Sequence, residues 1–339
     1  MRETIPFFVS PSPFMSYFGE TVALAVAFSW TFTALFFEFA TKRIGTLNVN
    51  LLRLLFAFVI LTVLLGCVTG HFLPFGANPQ AWAWLALSGL VGFVFGDICL
   101  FYSYTLISAQ YAQLLMTLAP AFAAFSAWLI LGEQLSAKIA LGMSVTLVGI
   151  AISVLTRKKN DAHGTAENRT DTQDVADVQT RGLSLKISPK GILIGVGAAL
   201  GQGLGIVLSK QGMLHFQETA EASYLRFMPF AATQIRIISG IVGFVCVILL
   251  LRGGRSFTAA LGQRKAVGAT LAGSIFGPVI GVSLSLLAVM HTNAAVASTI
   301  MATTPILILL PYALIYKRRI TWPEILGAVV SVIGVSLFF

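Results

Sequence analysis

Residues 108–120 read SAQYAQLLMTLAP and residues 293–305 read NAAVASTIMATTP, so the second run repeats the first at an offset of 185 positions. Ala109, Ala112, Met116 and Pro120 recur as Ala294, Ala297, Met301 and Pro305. The register holds without a gap from Gly92–Gly149 to Gly277–Gly334, where Gly92/Gly277, Gly96/Gly281, Gly142/Gly327 and Gly149/Gly334 coincide. Apolar segments match one another often by chance, so the ordered glycines and prolines carry the inference of a duplication. Upstream the offset shifts slightly and the alignment weakens: Arg53 falls on Arg236, Trp30 on Gln202 and Glu38 on Lys210.

What is duplicated is a set of membrane spans. Of the 339 residues 57% are apolar and only 10% charged, against roughly a quarter charged in a soluble domain. Runs near the ~20 residues needed to cross a bilayer occur at about 17–37, 49–69, 81–101, 109–131, 138–156, 190–209, 234–251, 267–289, 294–316 and 321–339. The reading is an all-α integral membrane protein with ten transmembrane helices. It divides into a lead-in at 1–16, a first five-helix repeat at 17–156, a polar inter-repeat loop at 157–189 and a second five-helix repeat at 190–339. An odd number of spans per repeat makes the second copy enter the membrane from the opposite side. Such inverted repeats around a central cavity are a recurrent architecture of secondary transporters.

The residues also resemble a known family, the EamA-type, ten-helix branch of the drug/metabolite transporter superfamily. The resemblance rests on Gly96–Tyr104, then SAQYA entering a span with Pro120, then LGEQLS at 131–136, then Gly142 and Gly149. In the second half TNAAVA leads to Pro305, followed by KRRITWPE at 317–324 and by Gly327 and Gly334. It implies a carrier of small organic solutes, often an exporter of amino acids or related metabolites, with its cavity between the halves. The chain departs from the pattern where Lys317 and Arg318 replace Gly132 and Glu133, which puts in doubt a shared role for Glu133.

Several side chains could carry transport. Trp30, Thr33, Gln113, Thr117, Gln202, Ser298, Thr299 and Thr303 are the aromatic and neutral polar groups expected at the middle of the bundle, suited to amphipathic or zwitterionic solutes. The alternative is that many only bond carbonyls of their own helices. Glu38, Arg53 and Asp97 are expected near one mouth and Lys210 and Arg236 near the other. They would serve as gate charges, with Arg53 pairing Glu38 or Asp97, or would simply snorkel at helix ends. Pro120 and Pro305 are expected mid-span as paired hinges or as static bends. Gly191, Gly195, Gly197, Gly201, Gly203 and Gly205 leave the sixth span either tightly packed or able to bend.

No catalytic residue and no cofactor is expected: there is no HExxH, GxSxG or phosphate loop, and no His/Cys spacing for a metal. The net charge of +9 sits between apolar runs rather than on a solvated patch, so nucleic acid is not an expected partner. The partners are a small-molecule substrate and the lipid bilayer, for a monomer or homodimer. With no acidic residue or lysine expected at mid-depth, facilitated diffusion and weak coupling to a proton stand as alternatives. Arg157, Lys158 and Lys159 after the fifth span and Lys317, Arg318 and Arg319 after the ninth orient both termini outward by the positive-inside rule, whereas the resemblance favours termini inside. The expected location is a bacterial inner membrane. The competing functions are an exporter of cationic drugs, an intramembrane enzyme, and a membrane sensor or scaffold.

Overall fold

The structure is a computed structural model that describes residues 17–74, 76–106, 115–167, 189–220, 225–251, 254–307 and 322–338. Every element among them is helical. In the first half α1 (Phe18–Ile44) turns at Gly45 into α2 (Thr46–Thr69), and Gly45 has φ of 80°. Asn78 then opens α3 (Pro79–Gly89) by accepting from the Ala81 N–H at 2.7 Å. This bond satisfies one of the helix's free donors. The helix continues through a π-helical segment, Leu90–Gly96, into α4 (Asp97–Leu106). Next come α5 (Ala119–Leu131), ended by Gly132 at φ of 67°, and α6 (Ala137–Glu167).

The second half holds α7 (Pro189–Thr219), α8 (Met228–Leu250) and the short α9 (Gly254–Leu261). Then α10 (Arg264–Ser274) runs through a second π-helical segment, Ile275–Val282, into α11 (Ser283–His291). The last helices are α12 (Ala294–Met301), α13 (Thr304–Leu307) and α14 (Trp322–Ser336).

Among the described residues six helical tracts are long and apolar enough to cross a membrane: Phe18–Thr41, Thr46–Thr69, Pro79–Leu100, Pro189–Thr219, Met228–Leu250 and Arg264–His291. Ala119–Leu131, Ala137–Ile152 and Ile325–Ser336 are shorter apolar helices. Of the ten expected spans, those at 109–131, 294–316 and 321–339 lie partly outside the described residues. The boundaries also move. Helix α6 runs to Glu167, through the start of the segment expected to be loop, and α8 begins at Met228 rather than at 234. Charged and polar residues continue a helix readily outside the apolar layer, so hydropathy finds the layer and not the helix.

The packing partners of the two halves exchange. Helix α7 packs on α3, the first π segment, α4 and α5, while α1 packs on α10, the second π segment, α11 and α12. Across the middle α2 meets α8, α5 meets α12, and α6 meets α14. Lipid tails are as apolar as leucine, so close approach and not hydrophobicity has to hold such helices together. The glycines provide it. A Cβ on Gly201 would lie 2.7 Å from Gly96 Cα, and one on Gly203 would lie 2.5 Å from the Ala119 carbonyl oxygen. The glycine-rich face of α7 is thus a packing surface, the plainer of its two readings.

The π segments fall at equivalent positions, Leu90 matching Ile275 and Gly96 matching Gly281. One contains Pro278 and the other Phe93 at the same place, so proline is not what they have in common. They share the glycine pair, which lets the facing helix approach. Wide π turns are rare and often mark functional positions inside α-helices.

Pro120 and Pro305 are not in mid-helix. Each stands second in a new helical segment, α5 or α13, just after a break at Thr117–Leu118 or Ala302–Thr303. The missing N–H makes proline best tolerated in a first turn. The expected kinks are therefore interruptions, and both halves have one at the same place.

Candidate functional site: a buried guanidinium–carboxylate cluster

The first π segment ends at Gly96, and the next residue, Asp97, is buried between three other helices. Its Oδ2 takes an ion pair and hydrogen bond from Arg53 Nη2 on α2. Its Oδ1 accepts from Gln202 Nε2 on α7 at 2.8 Å, and the same amide group reaches the Gly92 carbonyl at 3.3 Å. Arg236 of α8 is 5% exposed and lies in the field of the same carboxylate. Its guanidinium carbon sits 4.6 Å from the centre of the Phe93 ring.

Glycines make the space. A Cβ on Gly92 would lie 3.2 Å from Arg236 Nη2, and one on Gly96 would lie 3.3 Å from Gln202 Nε2. On the far side, Arg53 faces the Phe37 ring of α1 at 5.7 Å. Phe37 in turn fills the space beside Gly273 and Gly277 of the second half.

Asp97 lies three residues before the end of the apolar tract Pro79–Leu100, and the helix itself continues to Leu106. One expectation is corrected: Arg236 does not stand apart from Asp97 at another mouth, because α8 starts early and carries it about two turns in, toward Asp97. Charge is therefore gathered between packed helices. Buried ions inside apolar helices are costly unless paired, and such groups commonly belong to ligand or ion pathways.

Lys210 has a separate role. Its Nζ meets Glu133 Oε1 at 2.6 Å and donates to the Thr292 carbonyl at 2.8 Å. Glu133 Oε2 accepts the Ala294 N–H at 2.9 Å, at the start of α12. Thr292 Oγ1 donates to Glu20 Oε1 at 2.6 Å. The end of α5 is thereby tied to α7, to the α11–α12 turn and to α1. Sequence reasoning missed Glu20 and Thr292 and set Glu133 aside. The one available signal was an unexplained lysine within an apolar span.

The remaining candidates divide. Thr33 bonds the Ser29 carbonyl at 3.0 Å, and its methyl faces Gly277. Ser298 and Thr299 both bond the Ala295 carbonyl, and Thr303 bonds that of Ile300. These four satisfy their own helices, the plainer alternative. Trp30 lies against Gly281. Thr117 is half-buried beside the break before Pro120. Gln113 and the side chains of Glu38 and Pro305 lie outside the described residues. Among the described residues no group of His, Cys, Asp and Glu could hold a metal.

Comparison with known proteins gives the context. Over 145 residues the chain is 30% identical to the uncharacterized transporter YoaV of Bacillus subtilis, covering 41% of this chain and 47% of that protein. Over 115 residues it is 30% identical to the uncharacterized membrane protein YMR253C of Saccharomyces cerevisiae, 33% of this chain and 27% of that one. The chain thus spans less than half the length of these relatives. A solved crystal structure superposes with a TM-score of 0.64 over 94% of this chain and 96% of its own, at 14% identity, a likeness of fold alone. The profile of the EamA-like transporter family matches both halves, residues 17–155 and 189–339. With its duplicated apolar helices, the chain belongs to the EamA-like transporter family, a family of multi-pass membrane proteins.

Proposed function

We propose that the protein is a secondary carrier of small organic solutes, amino acids or related metabolites, acting as an exporter by alternating access. The carrier has ten spans in two inverted five-helix repeats around a central cavity, in a bacterial inner membrane with both termini outside. The observation that carries this reading is the exchange of packing partners between the halves. Each π segment is gripped by the first helix of the other half, α7 on one side and α1 on the other. A duplicated bundle with interchangeable partners has two near-equivalent arrangements, and rocking from one to the other exposes a central site to each side in turn.

The cluster of Arg53, Asp97, Gln202 and Arg236 joins four helices, two from each half. A solute bound there would contact both moving parts. That coupling is what alternating access requires, because a ligand shifts an equilibrium only through different contacts in the two states. The test is counterflow in liposomes holding purified protein, across a panel of amino acids and metabolites, with and without a pH gradient. Saturable exchange of at least one solute is expected, and a pH-gradient effect would identify a coupled proton. No flux above empty liposomes for any solute would refute the carrier.

A further inference from the structure

We infer that Arg236, with Arg53 beside it, holds the carboxylate of the transported solute, so the substrates are organic anions or zwitterions and not cations. The inference rests on the carrier reading. Three observations support it.

The first is hydrogen-bond supply. Asp97 already receives Arg53 on one oxygen and Gln202 on the other. Arg236 lies within its field but, among the described residues, its buried Nε has no partner, and neither has Nε of Arg53. Native structures rarely leave buried donors unmet unless a ligand or water meets them. The planar guanidinium fork fits a carboxylate with two parallel bonds.

The second is charge. Among the described side chains the cluster sets two guanidiniums against one carboxylate. Against these described charges an incoming anion would be attracted and a cation repelled.

The third is placement. Arg53 and Arg236 are repeat-equivalent, on helices α2 and α8 that pack together. Each half brings one guanidinium to the neighbourhood of Asp97, which pairs with Arg53, and the Phe93 and Phe37 rings stand against them. Rings of this kind would receive the apolar body of a solute whose head is anionic.

The experiment is thermal unfolding of the purified protein in detergent with matched carboxylates, primary amines and amides of increasing aliphatic and aromatic size. Carboxylates of a suitable size should raise Tm saturably, as a ligand of the folded state does, while the matched amines and amides should not. In Arg236→Gln the substrate-free Tm should rise, since a buried charge with an unmet donor is gone, and carboxylate affinity should fall at least ~10-fold, which corresponds to about 1.4 kcal/mol. Arg236→Lys should keep a weakened response. The inference is overturned if no carboxylate raises Tm, if amines do so equally, if only anionic phospholipid does, or if both variants respond as the parent does. Stabilisation by carboxylates without counterflow would leave the site standing and remove the carrier. Counterflow confined to amines would do the reverse.

Discussion

Trp30 and Gln202 hold equivalent places in the two halves, each filling the space that a missing glycine Cβ leaves on a π segment. A Cβ on Gly281 would lie 2.5 Å from Trp30 Nε1, and one on Gly96 would lie 3.3 Å from Gln202 Nε2. The pseudo-symmetry therefore reaches individual side chains while their chemistry diverges. One half presents an amide tied to Asp97 and the other presents an indole packed on Gly281.

Gly281→Ala should cost more stability than Gly96→Ala. The first also meets the Phe276 carbonyl oxygen at 2.8 Å, which cannot yield, whereas the second meets only atoms at 3.3 Å or more. Overpacking of this kind costs about 1–3 kcal/mol, against a few tenths for a contact that can relax. Melting of the two variants in detergent gives the order directly, and the opposite order would mean that the glycines are not equivalent packing sites.

A specific rescue is expected at the neighbouring pair. A Cβ on Gly277 meets Thr33 Cγ2 at 2.9 Å and Oγ1 at 3.4 Å. At the matching place in the first half Gly92 meets the bare Cα of Gly205. Gly277→Ala should lower Tm. Thr33→Gly should lower it alone, by the equivalent of about 0.5 kcal/mol, since glycine is a poorer helix former than threonine. Together they should come out less damaging than their sum. Additive losses in a double-mutant cycle would show that the clash is not the cause.

Asp97→Asn removes the counter-charge of a buried Arg53 and should be severe, about 3–5 kcal/mol for an orphaned partner. Adding Arg53→Gln should recover part of that loss, because neutral amides can bond in the same geometry. If Arg53→Gln worsens Asp97→Asn, the pair is not the unit that Asp97 belongs to. The measured quantity is the coupling of the two Tm losses, and transport should be lost in all three variants.

Some of this was legible in sequence because glycine and proline register survives divergence. The offset of 185 pairs the glycines that fall in the two π segments, Gly92/Gly277 and Gly96/Gly281, and the prolines that follow the two breaks, Pro120/Pro305, without revealing the π turns or the breaks themselves. The weak upstream match of Trp30 to Gln202 also proved geometrically sound. The meeting of Asp97 with Arg236 was not legible. Hydropathy opened that span at 234 and so left Arg236 at a mouth away from Asp97, while α8 begins at Met228. Long arginine side chains then shift a charge by several ångströms along the bundle, which no spacing reveals. The Glu133 contacts were hidden for another reason: they join α5, α7 and the α11–α12 turn, which are far apart in sequence and unlike in composition.

Glu133 is expected to hold its end of the bundle closed. It binds Lys210 with one oxygen and the first N–H of α12 with the other, so it joins the two halves where α5 ends and α12 begins. Both partners are largely shielded, with Lys210 at 14% and Glu133 at 15% side-chain exposure, so the pair is worth more than a surface bridge. Loss of a side-chain acceptor at a helix start costs about 0.5–2 kcal/mol by itself. Cys67, Cys99 and Cys246 are free thiols and would first be replaced. A reporter cysteine at Asn293, whose side chain makes no capping bond, then reads access by the rate of labelling with a membrane-impermeant thiol reagent. Glu133→Ala should speed labelling about 10-fold, the effect of about 1.4 kcal/mol. Glu133→Gln should fall between, since an amide oxygen can still accept from Ala294 but cannot hold the lysine's charge. Equal rates in the parent and both variants would show that Glu133 braces the fold without closing it.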